Sequence, residues 1–168
     1  MHISRQNWPS FFCDKPEIKK CTCKVGIGEE GGSVDCQEEG KISWDIEGYA
    51  FLHVRFDGCI CDDPNRKKCD CIIFRFDLND SAPVVFVVET KGGNPSFSEV
   101  KSQIESCIEF LMRLLPDPKN QFKVIPVLCA LRISAFIKEV SLSNKVKVFG
   151  DKVPVNLRLH SQNINELV

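Results

Sequence analysis

The sequence has no long hydrophobic run and no hydrophobic leader. No apolar stretch approaches the roughly 20 residues that a membrane-spanning helix needs, and residues 1–8 are too polar for a secretory signal. These absences predict a cytoplasmic protein, located inside the cell and without a membrane partner. In the absence of an export signal, the ten cysteines are expected to be reduced thiols or metal ligands rather than a disulfide framework. The alternative is a mature secreted fragment whose signal has been removed, which would have the same sequence features.

The chain also lacks a strong net charge. Its formal net charge of −1 gives no general attraction to nucleic acid. The charge is unevenly distributed, because residues 1–118 carry 14 Lys/Arg and 20 Asp/Glu, whereas residues 119–168 carry 8 and 3. An acidic site beside a basic region suits a metal-dependent enzyme that acts on a polyanion. Chance segregation of surface charge explains the pattern equally well.

The C-x-x-C spacing that is typical of zinc sites is missing. Cys59-x-Cys61 and Cys69-x-Cys71 each place two thiols on one face of a strand, so adjacent strands could form a site for a structural zinc ion or an iron–sulfur cluster. A second possible set is Cys13, Cys21, Cys23 and Cys36. The alternative, which we favour and expect of Cys107 and Cys129 above all, is that free cysteines pack as small hydrophobic residues.

Length and composition predict one globular domain over residues 1–168. A chain of this length buries a sizeable core, and its 43% hydrophobic and 27% charged residues are usual for a globular protein. No internal repeat or low-complexity linker divides it. Residues 1–48 show little sustained periodicity, so we expect an irregular, cysteine-containing N-terminal region followed by a core over 49–168.

Three strand-like segments open this core. Residues 50–56 and 69–76 are rich in β-branched and aromatic residues, and residues 84–91 begin with five consecutive apolar side chains, as a buried strand does. Polar turns separate the three segments, which predicts an antiparallel meander.

A helix is predicted next, because Ser96 and Glu99 form a capping-box signature and apolar residues then recur at helical spacing up to residue 115. Residues 124–128 predict another strand, in which Pro126 indicates an edge or a bulge. A short helix over 133–140 and a late hairpin over 146–159 complete the order β-β-β-α-β-α-β-β. This order belongs to an α/β or α+β mixed sheet.

The residues with chemical potential lie at the end of the third strand. Glu89 and Lys91 share one face of it, because successive side chains of a strand alternate. A hairpin brings Asp70 of the preceding strand beside them. Two carboxylates and the backbone carbonyl of Thr90 make an oxygen-rich site of the kind that Mg²⁺ or Mn²⁺ prefers. The alternative is a solvent-facing ion pair between Glu89 and Lys91 that contributes little.

Asp70…Glu89-Thr90-Lys91 resembles the D…(D/E)-x-K motif of the PD-(D/E)xK, or restriction-endonuclease-like, nuclease superfamily. The resemblance covers residues 50–131 and implies a restriction-endonuclease-like core, β-β-β-α-β with flanking helices. It also implies a catalytic role for Gln103, which is similar to the glutamine that many of these nucleases carry on this helix. The chain departs from the pattern in lacking the Pro before Asp70 and in showing no early helix for a further acidic ligand. The candidates for that ligand are Glu47, Glu39 and Glu38.

The sequence therefore predicts a Mg²⁺- or Mn²⁺-dependent phosphodiesterase that cleaves a nucleic-acid backbone, DNA rather than RNA, as an endonuclease. Asp70, Glu89 and Thr90 would bind the metal, and Lys91 would serve the attacking water. Phosphate contacts are expected from the basic C-terminal region, namely from Lys123, Arg132, Lys138, Lys145, Lys147 and Arg158. Two alternatives stay open: a non-catalytic interaction subunit with this fold, and a cysteine-metal structural protein. Both the nuclease and the non-catalytic subunit could work as a homodimer or as part of a larger complex.

Overall fold

The fold is taken from a computed structural model, which describes residues 16–27, 32–37, 40–44, 49–61, 64–77, 82–92, 96–115, 117–130, 144–159 and 167. The first described elements are helix α1 (Pro16–Cys21) and strands β1 (Thr22–Ile27), β2 (Gly32–Gln37) and β3 (Gly40–Trp44). The central elements are β4 (Tyr49–Arg55), β5 (Cys71–Asp77), β6 (Val84–Lys91), helix α2 (Phe97–Leu114), the short helix α3 (Pro118–Gln121) and β7 (Lys123–Ala130). The last strands are β8 (Lys145–Val148), β9 (Asp151–Pro154) and β10 (Asn156–Leu159).

A mixed sheet of six strands, ordered β1-β4-β5-β6-β7-β10, forms the centre of this α+β fold. The pairs β1–β4, β4–β5 and β5–β6 are antiparallel, whereas β6–β7 and β7–β10 are parallel. The predicted antiparallel meander of three strands is confirmed as β4-β5-β6. The return from β6 to the parallel strand β7 passes through α2, as a parallel pair requires a crossover connection.

Each face of the sheet contributes to a separate hydrophobic cluster. Val85 and Val87 of β6 pack on one face with the apolar stripe of α2, which comprises Val100, Ile104, Cys107, Ile108 and Leu111. Phe86 and Val88 alternate with them and pack on the opposite face. Because β6 is covered on both faces, it is a near-continuous apolar run, as fully buried strands are.

The N-terminal region is more regular than predicted. Its described residues form α1 and three strands, and β1 extends the central sheet by pairing with β4. The expectation of an irregular segment over residues 1–48 is therefore wrong for these residues. The physical reason is that β1 is held by a backbone ladder to β4, a long-range interaction that leaves little local periodicity. Within the described part of the chain, no helix is long and apolar enough to cross a membrane.

Helix α2 begins where the sequence predicts, but it is capped differently. Ser96 is the N-cap residue, yet its side chain makes no capping hydrogen bond. Its hydroxyl lies 2.7 Å from that of Ser98, and Glu99 turns towards Lys91 instead. The capping box is thus a correct marker of the helix start and a wrong description of its hydrogen bonds.

The C-terminal strands correct two further expectations. The late hairpin is formed by β8 and β9 alone, and β10 leaves it to join the central sheet beside β7. Strand β7 is consequently not an edge strand, although Pro126 lies within it. Pairing with β10 starts only at Val127, so Pro126 lies where that side of β7 is unpaired. The helix predicted over 133–140 lies outside the described residues.

The cysteines form disulfides, which overturns the expectation of reduced thiols. Cys21 is bonded to Cys59, and Cys69 is bonded to Cys107. Cys71 is also disulfide-bonded. The four-thiolate site predicted from the two C-x-C pairs therefore does not exist, because three of its four sulfur atoms are in disulfides. Cys129 is buried in the core and outside any disulfide, as predicted, whereas the same prediction for Cys107 is wrong, because Cys107 is bonded to Cys69.

Candidate metal centre

Glu89 and Lys91 lie at the carboxyl end of β6, on the face that α2 covers. Alternation from Val85 and Val87 brings both side chains to this face. Glu89 is only 1% exposed, and its Oε1 lies 2.7 Å from Lys91 Nζ. Lys91 Nζ also lies 3.8 Å from Glu99 Oε1 at the start of α2. The predicted Glu89–Lys91 pair exists and is buried at its acidic end, so the interpretation as a solvent-facing ion pair is wrong.

Asp70 is fixed between two strands just before β5 begins. Its N–H donates to the carbonyl of Val88 on β6 at 3.1 Å, and its own carbonyl accepts from the N–H of Phe56 at 3.0 Å. The side chain is buried at 4% exposure. These backbone bonds hold the residue beside the end of β6, where the sequence places it.

The carboxylate of Asp70 binds Thr90. The backbone N–H of Thr90 donates to Asp70 Oδ2 at 2.6 Å, and the Thr90 hydroxyl donates a second, very short hydrogen bond to the same oxygen. The sequence did not predict this contact, since it considered only the carbonyl of Thr90. A hydroxyl-bearing residue between Glu89 and Lys91 was the one signal that could have indicated it.

The two carboxyl groups have perturbed protonation. Burial, followed by the charge of Asp70, raises the pKa of Glu89 to about 8, although Lys91 and the nearby Gln103 amide oppose the shift. Burial also raises the pKa of Asp70, while the hydrogen bonds from Thr90 and the charge of Lys91 lower it. The two carboxylates therefore repel each other, and a positive charge between them relieves that repulsion.

Lys91 remains a cation in this surrounding. Burial lowers the pKa of Lys91, but the contact with Glu89 and the charges of Glu99 and Asp70 outweigh this effect and raise it. About a quarter of the side chain, 24%, is exposed to solvent. The ammonium group is thus charged at neutral pH and accessible from outside.

Gln103 approaches the same carboxylate from α2. Its Nε2 donates to the carbonyl of Lys68 at 3.0 Å, which fixes the amide plane. Gln103 Oε1 and both Oε atoms of Glu89 are buried, and among the described residues no donor makes a well-directed hydrogen bond to them, although Lys91 Nζ lies 2.7 Å from Glu89 Oε1. Buried acceptors without donors are costly, and a cation or an ordered water satisfies them.

The described residues supply two carboxylates and no more. No group of three or more His, Cys, Asp or Glu side chains in this part of the chain is arranged to hold a metal ion. Glu47, Glu39 and Glu38, the candidates for a further acidic ligand, lie outside it. Sequence interpretation also missed an ion pair beside the site, in which Lys68 Nζ lies 2.8 Å from Asp57 Oδ1. The charge of Asp57 is one of the influences that raise the pKa of Asp70.

The basic residues predicted to contact phosphate are scattered. Lys123 pairs with Val84 at the far end of β6, roughly 16 Å from Glu89 along the strand. Cys129 of β7 pairs with Arg158 of β10 on one side and with Thr90 of β6 on the other. Arg158 therefore lies at the same end of the sheet as the candidate site. Lys147 is anchored through its N–H, which donates to Glu105 on α2. Arg132 and Lys138 are outside the described residues.

Comparison with known proteins yields no match: no family model, no curated protein and no solved structure is significantly similar to this chain.

Proposed function

We propose that the protein is a metal-dependent phosphodiesterase that cleaves a nucleic-acid backbone. The observation that carries the proposal is the buried carboxyl group of Glu89, which contacts the Lys91 ammonium at 2.7 Å and lies beside the buried amide oxygen of Gln103, with no well-directed hydrogen bond to these oxygens from the described residues. A second buried carboxylate, that of Asp70, and the charged Lys91 act electrostatically on the same Glu89. Perturbed carboxyl groups beside a charged lysine favour a catalytic site over a structural ion pair.

The residues fit a hard divalent cation. Mg²⁺ binds oxygen ligands and usually takes one or two carboxylates together with substrate phosphate, which matches Asp70 and Glu89. Thr90 would add its backbone carbonyl and Gln103 its amide oxygen. A bound Mg²⁺ or Mn²⁺ would polarise the phosphoryl group and lower the pKa of water. A cation would also relieve the repulsion that now raises the pKa of Glu89.

The residues around the two carboxylates then have distinct roles. Thr90 fixes the carboxylate of Asp70 through two hydrogen bonds to one oxygen. Lys91, held 2.7 Å from Glu89 and open to solvent, orients the attacking water and offsets the negative charge that develops on the phosphoryl oxygens. Gln103, tied to Lys68, keeps its carbonyl oxygen next to Glu89.

The fold supports the same proposal. Strands β4, β5 and β6, helix α2 and strand β7 occur in the order β-β-β-α-β, with only the four-residue helix α3 between α2 and β7; this is the order of a restriction-endonuclease-like core. Asp70 precedes the second of these strands, and Glu89 and Lys91 end the third. We therefore propose a nuclease of the PD-(D/E)xK type, with DNA as the substrate and a homodimer or a larger complex as its working state.

Cleavage assays with paired variants test the proposal. We expect the wild-type chain to cleave single-stranded, duplex or branched DNA with Mg²⁺ or Mn²⁺, and EDTA to abolish cleavage. Lys91→Ala should lower the rate at least 100-fold, and Asp70→Ala should abolish Mn²⁺ binding in calorimetry. Lys101→Ala is the matched control, because Lys101 is a partly exposed lysine on α2 that pairs with Glu105 rather than with Glu89.

Two outcomes would contradict the nuclease. The first is a wild-type chain that cleaves no DNA or RNA substrate and also binds Mn²⁺ no better than Asp70→Ala, which would indicate a non-catalytic subunit. The second is an equal cleavage rate in the wild type and in Lys91→Ala, which would indicate that a contaminating nuclease cleaves the DNA.

The intracellular location stays a prediction, and the disulfides bear on it. Disulfides persist in oxidising compartments and are rare in cytosolic proteins. The Cys21–Cys59 and Cys69–Cys107 bonds therefore favour an oxidising environment for the folded chain.

Elemental analysis of the purified protein for zinc and iron, together with a thiol count, tests the cysteine-metal alternative.

A further inference from the structure

A cavity of about 350 Å³ lies beside the second half of α2, outside the candidate metal centre. We call it the α2 cavity. Its apolar wall is formed by four hydrophobic side chains and one thiol, namely Phe56, Ile60, Phe110, Leu114 and Cys61. Two guanidinium groups, those of Arg66 and Arg113, complete the lining. A volume of this size is within the range of small-ligand sites.

No carboxylate of the described residues pairs with the charges of the α2 cavity. Arg66 Nε donates to the hydroxyl of Ser106 at 3.3 Å, and Arg113 Nε donates to the carbonyl of Glu109 at 3.4 Å. Neither arginine forms an ion pair within the described structure. The site thus combines an aromatic, apolar wall with two available cations. Its complement is a ligand with a flat apolar part and a negatively charged part.

One side of α2 connects this cavity with the metal centre. Gln103, Ser106, Phe110 and Arg113 are spaced three, four and three residues apart, so they form a single stripe along the helix. The segment before β5 runs along this stripe: Phe56 packs edge-on against Phe110 at 5.1 Å between ring centroids. Farther towards the metal centre, Arg66 donates a hydrogen bond to the hydroxyl of Ser106, and the carbonyl of Lys68 accepts one from Gln103.

The separation of the two sites suits a nucleic-acid strand. Gln103 and Phe110 are seven residues apart, or about 10 Å along the helix axis. This equals about three nucleotides at the roughly 3.4 Å spacing of a stacked strand, and fewer in an extended one. Phe56 also touches both sites, since its ring lines the cavity and its N–H donates to the carbonyl of Asp70.

We propose that the α2 cavity binds one unstacked base of the substrate strand and that Arg66 and Arg113 contact the adjacent phosphates. The base stacks on the partly exposed ring of Phe110, which is a sequence-tolerant interaction. The substrate class follows from this geometry. A base in this cavity is unpaired, so the preferred substrate is single-stranded or locally unpaired nucleic acid. The inference rests on the proposed nuclease function.

Cys61 provides a readout that does not depend on cleavage. It is a free, half-buried thiol in the wall of the cavity. We would measure its alkylation by N-ethylmaleimide, resolved at the peptide level by mass spectrometry, in non-reducing buffer with Ca²⁺ in place of Mg²⁺. A ten-nucleotide oligothymidylate should slow alkylation at least fivefold. A blunt hairpin duplex and inorganic phosphate alone should leave it unchanged.

Two substitutions test the contacts. Arg113→Gln should raise the oligonucleotide concentration that gives half-protection about five- to tenfold, and should lower the slope of log Kd against log salt by about 0.7. Phe110→Leu, which keeps an apolar side chain, should weaken protection about fivefold or more. Lys119→Gln is the charge-matched control, because Lys119 is exposed and pairs with Asp151 outside the cavity.

The possible failures are distinguishable. Cleavage of DNA without protection of Cys61 overturns the base-binding cavity and leaves the nuclease intact. Protection of Cys61 by the oligonucleotide in a chain that cleaves nothing overturns the nuclease and keeps the binding site. Protection by octanoate but not by oligothymidylate overturns the base-binding proposal in favour of an aliphatic anion site.

Discussion

Thr90 donates two hydrogen bonds to a single oxygen of Asp70, one from its backbone N–H at 2.6 Å and one from its hydroxyl. The two residues lie 20 positions apart in the chain, Thr90 on β6 and Asp70 just before β5. Their contact sets the direction in which the Asp70 carboxylate points, and it lowers the pKa of a buried acid that desolvation otherwise raises. Thr90 is therefore a positioning residue for the candidate metal centre.

Thr90→Val removes the hydroxyl and keeps both the shape of the side chain and the backbone bond. We expect the free energy of unfolding to fall by about 1–2 kcal/mol and the Kd for Mn²⁺ to rise severalfold, because Asp70 loses a donor that stabilises its charged form. Thr90→Ser, which keeps the hydroxyl, should remain near wild type in both urea unfolding and calorimetry. Equal losses in the valine and serine variants would assign the effect to packing.

The metal-free protein should lose stability as the pH rises from about 5 to about 8. Burial raises the folded-state pKa of Glu89 from 4.5 to about 8, so in this range the folded chain holds a proton that the unfolded chain has released. The unfolding free energy then falls with increasing pH, by a few kcal/mol for a shift of this size. Urea unfolding in EDTA at several pH values measures the slope.

Glu89→Gln should remove most of that slope and leave the apo protein at least as stable as wild type at pH 8. Mn²⁺ should no longer raise its Tm, because the ligand is lost. Glu109→Gln is the control, since Glu109 is exposed on the same helix as Gln103. A wild-type slope that survives in Glu89→Gln would locate the proton elsewhere.

Gln103→Ala should separate positioning from stability. The amide bonds the carbonyl of Lys68 at 3.0 Å and lies next to Glu89. We expect about a tenfold loss of the metal-dependent cleavage rate, in the range usual for groups that orient ligands, with about 1 kcal/mol lost in unfolding free energy. Gln121→Ala at the end of α3 should change neither quantity. A stability loss without a rate loss would make Gln103 purely structural.

The Cys69–Cys107 disulfide should contribute strongly to stability. It joins residues with a sequence separation of 38, and closing a loop of that length stabilises the folded state by about 4 kcal/mol in the chain-entropy view. Cys107→Ala should therefore unfold at much lower urea concentration under non-reducing conditions. Cys61→Ser, at a free cysteine, should lie within about 0.5 kcal/mol of wild type. If reducing agent leaves the wild-type midpoint unchanged, the bond contributes no stability.

Local pattern was sufficient to predict the centre of the fold. Strands β4 to β7 and helix α2 each carry a recognisable apolar pattern, either a run of buried residues or a stripe at helical spacing, because these elements supply most of the buried core. The same pleat rule put Glu89 and Lys91 on one face. The register Cys71↔Val88 brings Asp70 to them across the hairpin.

Long-range contacts account for what the sequence did not predict. Strand β1 depends on a ladder to β4, and the pairing of Cys69 with Cys107 depends on how α2 lies across the sheet. Thr90 alternates with Glu89 and Lys91 along β6, so the strand pattern alone predicts no contact between Thr90 and Asp70. Asp70 precedes the regular part of β5, however, so its carboxylate can turn to Thr90.

Pro126 also limits how the sheet can grow. Its carbonyl accepts a hydrogen bond from the side chain of Asn156 at 3.3 Å, so the backbone of this residue faces β10 rather than β6. On that side the proline offers no N–H, and the asparagine covers the one acceptor. An added strand, from a neighbouring chain or from a misfolded copy, finds no ladder to continue beyond Val127. The proline at this one position of β7 thus protects an unpaired stretch of the sheet against aggregation.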